Sequence, residues 1–198
     1  MAGEILSRLD RGRILDVGTG PGLLPLELVL RSRELKVVGL DPSHGMITLA
    51  RHLCGKIAED RLRFIVGGVY HLPFPSSSFD MVVSVGVLHH LQDLPKALGE
   101  IERVLRPGGE AWLYEVIMDT EWDEVRKVFR EMEIPIFPTL PFFLFHRALS
   151  RMRVGRRLVG MRREDLSALR NVLKGLGPKW KMEVRKPFLK VVFRKDGK

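Results

Sequence analysis

Three spaced glycines, two acids and a histidine pair are the residues of this chain best suited to chemistry. The glycines close the stretch ILDVGTGPG at 14–22, where an apolar run passes through Asp16 into Gly18-Thr19-Gly20-Pro21-Gly22. Glycines placed this way let a nucleotide approach the backbone, because no Cβ stands in its path. A dinucleotide fingerprint would read G-x-G-x-x-G, but its third position falls on Leu23, and Gly22 comes one residue early. A pyrophosphate needs a helix N-terminus aimed at it and close helix–strand packing at that third glycine, so the offset argues against an NAD(P)-dependent oxidoreductase. Asp41 ends LKVVGLD (35–41), where a carboxylate can accept both ribose hydroxyls in a fork; this identifies a ribose without choosing the cofactor. His89 and His90 follow FDMVVSVGVL (79–88), and Glu115 lies near the end of EAWLYEV (110–116). Imidazole and carboxylate groups at such strand ends can move a proton on a substrate.

The elements that must position these groups alternate. RILDVG (13–18), LKVVGLD (35–41), LRFIVG (62–67), FDMVVSVGVL (79–88) and EAWLYEV (110–116) are short apolar runs rich in β-branched residues, which read as strands buried on both faces. Between the first two, Pro21 marks a helix start, and Leu23, Leu24, Leu26, Leu28 and Leu30 give an apolar helical face. SHGMITLARHLCGKI (43–57) is helical with Ser43 as its N-cap. DLPKALGEIERVL (93–105) is an amphipathic helix that Pro107-Gly108-Gly109 stops and turns into the fifth strand. After Val116 a helix is expected over 119–132, then the Pro- and Phe-rich stretch 134–145. A further amphipathic helix opens at Arg163-Glu164-Asp165-Leu166 and closes at Gly175 and Gly177. WKMEVR (180–185) and FLKVVFR (188–194) form a hairpin at Pro187, so one of the two must run antiparallel. The pattern predicts a doubly wound α/β fold in a single domain over 1–198.

Composition bounds the partners. The 198 residues, 45% hydrophobic and 29% charged, suffice for one substantial core of an ordinary globular protein. The net charge of +9 suggests a polyanionic partner or substrate, nucleic acid or an anionic membrane surface. A lone Cys54 excludes an internal disulfide framework and a multi-cysteine metal site, and no metal is expected. Charged residues interrupt the early apolar stretch, and prolines break the most apolar segment, so the cytoplasm is the expected compartment. Gln92 and Asn171 are the only side-chain amides, a bias that leans toward a thermophilic source.

In this order the motifs DVGTGPG (16–22), Asp41, HLPFPSSSFD (71–80), VLHHL (87–91) and RVLRPGG (103–109) carry a resemblance to the class I S-adenosylmethionine-dependent methyltransferases, type 11 subgroup. The resemblance covers roughly 12–116 and 161–195. It implies a mostly parallel seven-stranded sheet with an antiparallel C-terminal hairpin strand. The implied cofactor is S-adenosylmethionine, leaving as S-adenosylhomocysteine. Its site would draw on Asp16 near the ammonium group, the loop Gly18, Thr19, Gly20 and Gly22, and Asp41 with Pro42 at the ribose. Met46 would pack on the adenine. Relatives commonly place an acid after the third strand for the adenine amino group, but this chain has Gly67-Gly68-Val69 there, which leaves adenine to backbone groups around Gly68 and Val69. Ser84 and Val85 would present carbonyls to the ammonium group. His90 aligns with a recurrent histidine, and His89, His90 and Glu115 would border the acceptor, with Tyr70 and His71 at the rim.

Few residues precede Arg13, so the helical roof of many relatives is expected to be minimal and the segment 117–160 to replace it as a lid. Phe137, Phe142, Phe143 and Phe145 would line that lid, and Arg147, Arg151, Arg153, Arg156 and Arg157 would give it a basic face. Such a face suits RNA, an anionic membrane interface with a lipid or quinone acceptor, or solvent alone. A non-catalytic cofactor-binding or regulatory protein is the alternative to an enzyme.

Overall fold

A computed structural model describes residues 1–54, 57, 60–117, 161–177, 179–185 and 188–197. The expected lid, its arginines 147–157 and the hairpin turn at Pro187 lie outside them.

The chain begins with a helix absent from the sequence reading, α1 (Ala2–Arg8). Its Ala2 and Ile5 are buried, while Arg8 forms a two-pronged hydrogen bond to Glu110 at 2.6 and 3.0 Å. Then follow β1 (Arg11–Val17), α2 (Leu23–Arg31), β2 (Glu34–Asp41), α3 (His44–Cys54) and β3 (Leu62–Val66). After these come β4 (Phe79–Val85), a single 3-10 turn at Leu88–His90, α4 (Leu94–Val104) and β5 (Leu105–Val116). The remaining described elements are α5 (Arg163–Gly175), β6 (Trp180–Arg185) and β7 (Phe188–Arg194). The seven strands form one sheet in the order β3-β2-β1-β4-β5-β7-β6. β1 pairs in parallel with both β2 and β4, and β2 with β3, as helical crossovers require.

Local chemistry explains the boundaries. Ser43 Oγ accepts from Met46 N at 3.3 Å and caps α3; Asp93 accepts from Lys96 N at 3.1 Å and caps α4, with Pro95 in its first turn. Gly86, with φ +70, ends β4 three residues before the expected limit. The Pro107-Gly108-Gly109 stretch does not turn the chain into β5; it belongs to β5. Its pairing partner comes from the far end of the sequence: Gly108 N donates to Lys195 O at 3.0 Å, and Lys195 N donates to Gly109 O at 2.9 Å.

The chain separates into two compact units. The first comprises Met1–Val85, Asp93–Leu113 and Val192–Lys198, and the second Gly86–Gln92 and Tyr114–Val191. In the first, Ile14, Leu15, Leu28, Leu35, Leu40, Ile47, Phe79 and Ile101 are fully buried and form the core. Two of the sequence motifs lock together there. Arg103 donates to Leu72 O and Phe74 O at 3.0 and 2.8 Å, while Glu100 accepts from Leu72 N at 2.8 Å and from Arg103. The Arg103 hydrogen bond holds the Glu100 carboxyl down at about 2. Asp80 closes the same segment, accepting from Arg13 N and Arg106 Nη1, each at 2.7 Å. HLPFPSSSFD and RVLRPGG are thus two halves of one clasp. No described helix is long and apolar enough to cross a membrane.

Candidate active site

The glycine loop is held in shape by its own backbone. Gly18 N and Thr19 N both donate to Leu40 O, at 2.7 and 3.0 Å, and Gly22 N donates to Thr19 O at 3.1 Å. Asp41 completes the brace: one carboxylate oxygen accepts from Gly20 N at 3.0 Å, the other from Ser43 N at 2.8 Å. Each oxygen retains a further lone pair for a ligand hydroxyl. Asp41 is therefore both a ribose candidate and the staple between the loop and the start of α3.

The glycines of the loop divide by environment. All three have positive φ, +73 at Gly18, +53 at Gly20 and +80 at Gly22, where an L side chain is strained. A Cβ on Gly20 would meet nothing within 4 Å, so this face is open to a ligand. A Cβ on Gly22 would lie 2.6 Å from the Phe64 ring and 3.1 Å from Ala50. Gly22 O also accepts from the buried Cys54 thiol at 3.6 Å. Gly22, expected at the cofactor, is placed where helix α2 packs against its neighbours, the task that the dinucleotide template gives to its own third glycine. Leu23, at the template's third position, is 62% exposed. No side chain caps α2, whose N-cap is Gly22 itself, so its first N–H groups keep their positive field for an anionic group.

Asp16 lies almost wholly buried beneath this loop, accepting from Thr19 Oγ1 at 2.7 Å. Burial raises its carboxyl to about 7; the Thr19 hydroxyl opposes that shift and the nearby Asp41 charge adds to it. A buried acid in this state is suited to a cation, which would restore its charge. Thr19 thus serves to hold Asp16. Around the loop, Pro42 and Gly68 are exposed, the latter with nothing within 4 Å of a would-be Cβ, and Met46 is 42% exposed on the first turn of α3. Val69 is buried. Val85 is exposed at the end of β4, whereas the Ser84 hydroxyl turns away into the sheet and donates to Val17 O at 2.7 Å. These residues all belong to the first unit, as do Tyr70, whose hydroxyl accepts from Asp93 N at 3.2 Å, and the exposed His71.

The second unit brings together His89, His90 and Glu115. The Glu115 side chain is 1% exposed and stands 2.9 Å from His89 Nδ1 through Oε2. The same oxygen accepts from His89 N at 3.2 Å, and Oε1 accepts from Val116 N at 3.0 Å. With both oxygens engaged and no exposure, Glu115 acts on its neighbour His89. His90 is exposed, its ring 3.9 Å from that of His89 at a 44° tilt. Burial and the adjacent His89 lower its pKa, against an opposing effect of Glu115. The sequence names the members of this cluster but not their pairing, which spans 26 residues and is visible only once β4 and β5 are in place. Among the described residues no His, Cys, Asp and Glu group could hold a metal ion.

Residues 15–113 match the family described as a methyltransferase domain. Among curated proteins, the demethylmenaquinone methyltransferase of Thermus thermophilus is 42% identical over 100 residues, covering 49% of this chain and 44% of that protein. A Methanococcus maripaludis structure, provisionally assigned as an S-adenosylmethionine-dependent methyltransferase, superposes over 100% of this chain and 84% of its own, with 23% identity and a TM-score of 0.72. The [4+2]-cyclase SpnF does so over 100% and 81%, with 19% identity and a TM-score of 0.62. At such identities the likeness to the two structures is one of fold. The chain belongs to the methyltransferase domain family and has the class I S-adenosylmethionine-dependent methyltransferase fold. It spans less than half the length of the curated relatives it matches.

Proposed function

We propose that the protein is an enzyme that transfers the methyl group of S-adenosylmethionine to a small-molecule or lipid-like acceptor, leaving S-adenosylhomocysteine. The observation that carries this reading is the open Gly20 face between two carboxylates, one buried and raised, the other braced at a strand end. The cofactor supplies an already activated sulfonium methyl group, so the chain's main task is in-line positioning. Asp16 holds the ammonium group, Asp41 the ribose hydroxyls, and Met46 with the backbone of Gly68 and Val69 the adenine. Pro42 borders the site, the Ser84 and Val85 carbonyls face the ammonium group, Gly18 and Thr19 shape the loop, and Gly22 supports it from the packed side. His89, His90 and Glu115 serve the acceptor.

The acceptor class draws support from relatives whose names state lipid-like substrates, a demethylmenaquinone methyltransferase and a sterol 24-C-methyltransferase. RNA bound through Arg147–Arg157 is the second reading, supported by the net charge of +9. A cytoplasmic setting and a thermophilic source fit the composition. SpnF, a cyclase by name on the same fold, is the reason to test turnover and not fold alone.

The test is transfer of labelled methyl groups from S-adenosylmethionine into cell extract, fractionated into RNA, protein, lipid and small molecules. Label in the lipid or small-molecule fraction is expected. Label confined to RNA would replace the acceptor class, and cofactor binding with no label in any fraction would favour a non-catalytic binding protein.

A further inference from the structure

We propose that the groove between α5 and β6 is a docking surface for an anionic lipid bilayer, with lipid phosphates on Arg170 and Lys174. This stands on charge and burial at one edge of the sheet and goes beyond the methyl-transfer reading.

The basic charge of the chain is concentrated toward its end. Residues 161–198 hold twelve Lys and Arg against four Asp and Glu, whereas residues 1–116 hold thirteen against fourteen. Most of the excess that makes the chain basic therefore falls on the stretch that forms α5, β6 and β7. β6 is the outermost strand of the sheet on that side. Arg170 and Lys174, four residues apart on α5, share one face of the helix and are exposed, with no carboxylate against either among the described residues. Asp165 of the same helix is turned back onto Arg162 N at 2.9 Å. Glu183 of β6 falls on the opposite strand face from Trp180 and Met182.

The groove that these cations border is apolar on its other side. It has a volume of about 450 Å³, and Leu173, Trp180 and Met182 line it together with Arg170, Lys174 and Gly177. Val184 shares the strand face of Trp180 and Met182 and is 38% exposed, and Leu176 at the end of α5 is 40% exposed. Cations beside exposed aliphatic side chains match a bilayer surface, where phosphates meet the first methylenes of the acyl chains. Single-stranded RNA asks for something else, an open ring on which a base can stack. Trp180 is only 6% exposed, Phe193 is buried and Phe188 is half-buried, so no described aromatic of α5, β6 and β7 offers that platform. All the groove residues lie in the second unit, which also holds His89, His90 and Glu115.

The test is co-sedimentation of the full chain with vesicles of equimolar phosphatidylglycerol and phosphatidylcholine, set against vesicles of phosphatidylcholine alone and against a uridine oligonucleotide. The chain should bind the anionic vesicles, leave the neutral ones, and come off as salt rises. Arg170→Gln with Lys174→Gln, which keeps a good helix former at both exposed positions, should weaken that binding at least about tenfold. Arg33→Gln with Lys36→Gln removes the same charge from exposed positions elsewhere and should bind as the wild type does. Leu176→Gln with Val184→Thr should weaken vesicle binding about threefold, an effect that a purely ionic partner would not register. A wild type that stays in solution, binds both vesicles alike, or binds the oligonucleotide and not the vesicles overturns the proposal, as does an equal loss from the two charge-removing pairs. Vesicle binding by a chain that takes up no S-adenosylhomocysteine would instead defeat the methyl-transfer reading and leave this one standing.

Discussion

The glycine loop and the histidine pair solve opposite problems. In the loop, the N–H groups of Gly18, Thr19, Gly20 and Gly22 all donate within the chain, so its shape exists before any ligand arrives. What it offers is an absence of side chain at Gly20 and two acids with capacity in hand. In the histidine region one polar atom, His89 Nε2, is left without a partner, and the surroundings are arranged to aim it. Preformed backbone suits a cofactor that is the same in every turnover.

Substitutions that separate packing from binding test this contrast most strongly. Gly22→Val puts a β-branched side chain at φ +80 against the Phe64 ring, and should cost about 3 kcal/mol of stability in denaturant melts. Gly20→Ala meets no neighbour and should cost only about 1 kcal/mol for its positive φ, while lowering S-adenosylhomocysteine affinity more than about tenfold. Equal losses of stability from the two would break the division of the loop into a packed and an open glycine.

Asp41→Ala should weaken cofactor binding at least about tenfold, about 1.4 kcal/mol, through the ribose and through release of Gly20 N and Ser43 N. Unchanged affinity in calorimetry would remove Asp41 from the site.

The pH dependence of Asp16 sharpens the electrostatic half of the comparison. Its carboxyl is raised from 3.8 to about 7 in the folded chain, so the native state keeps a proton that the unfolded state has lost. Stability from this group is fully present below about 3.8 and is lost as pH rises to about 7. A ligand ammonium reverses the preference, so affinity should climb by up to about tenfold per pH unit up to about 7 and then level off. Asp16→Asn should abolish that slope; a slope that persists would assign the proton elsewhere. Glu100 has the opposite sign: held down at about 2 by Arg103, it stabilises the clasp above its ordinary 4.5, and that contribution is lost as pH falls toward about 2. The smallest expected effect is Met46→Ala, less than about threefold in cofactor affinity, since the side chain is 42% exposed and adaptable.

The sequence is legible where function follows from local spacing. The glycine loop, Asp41, the cap Ser43, and the strands β6 and β7 all follow from residues within a few positions of one another. It is silent where a distant neighbour decides. Gly22 reads as one more ligand-facing glycine until Phe64 is seen beside it, and Pro107-Gly108-Gly109 reads as a turn until Lys195 pairs with it. The short α1 carries too few residues for its period to register, and Glu115 is one acid among many until His89 lies against it.

Calorimetric titration of the wild-type chain with S-adenosylmethionine, S-adenosylhomocysteine and NAD tests the central claim most directly. Both sulfur nucleotides should bind at one site, with no measurable heat from NAD. Binding of NAD with neither sulfur nucleotide would contradict the account.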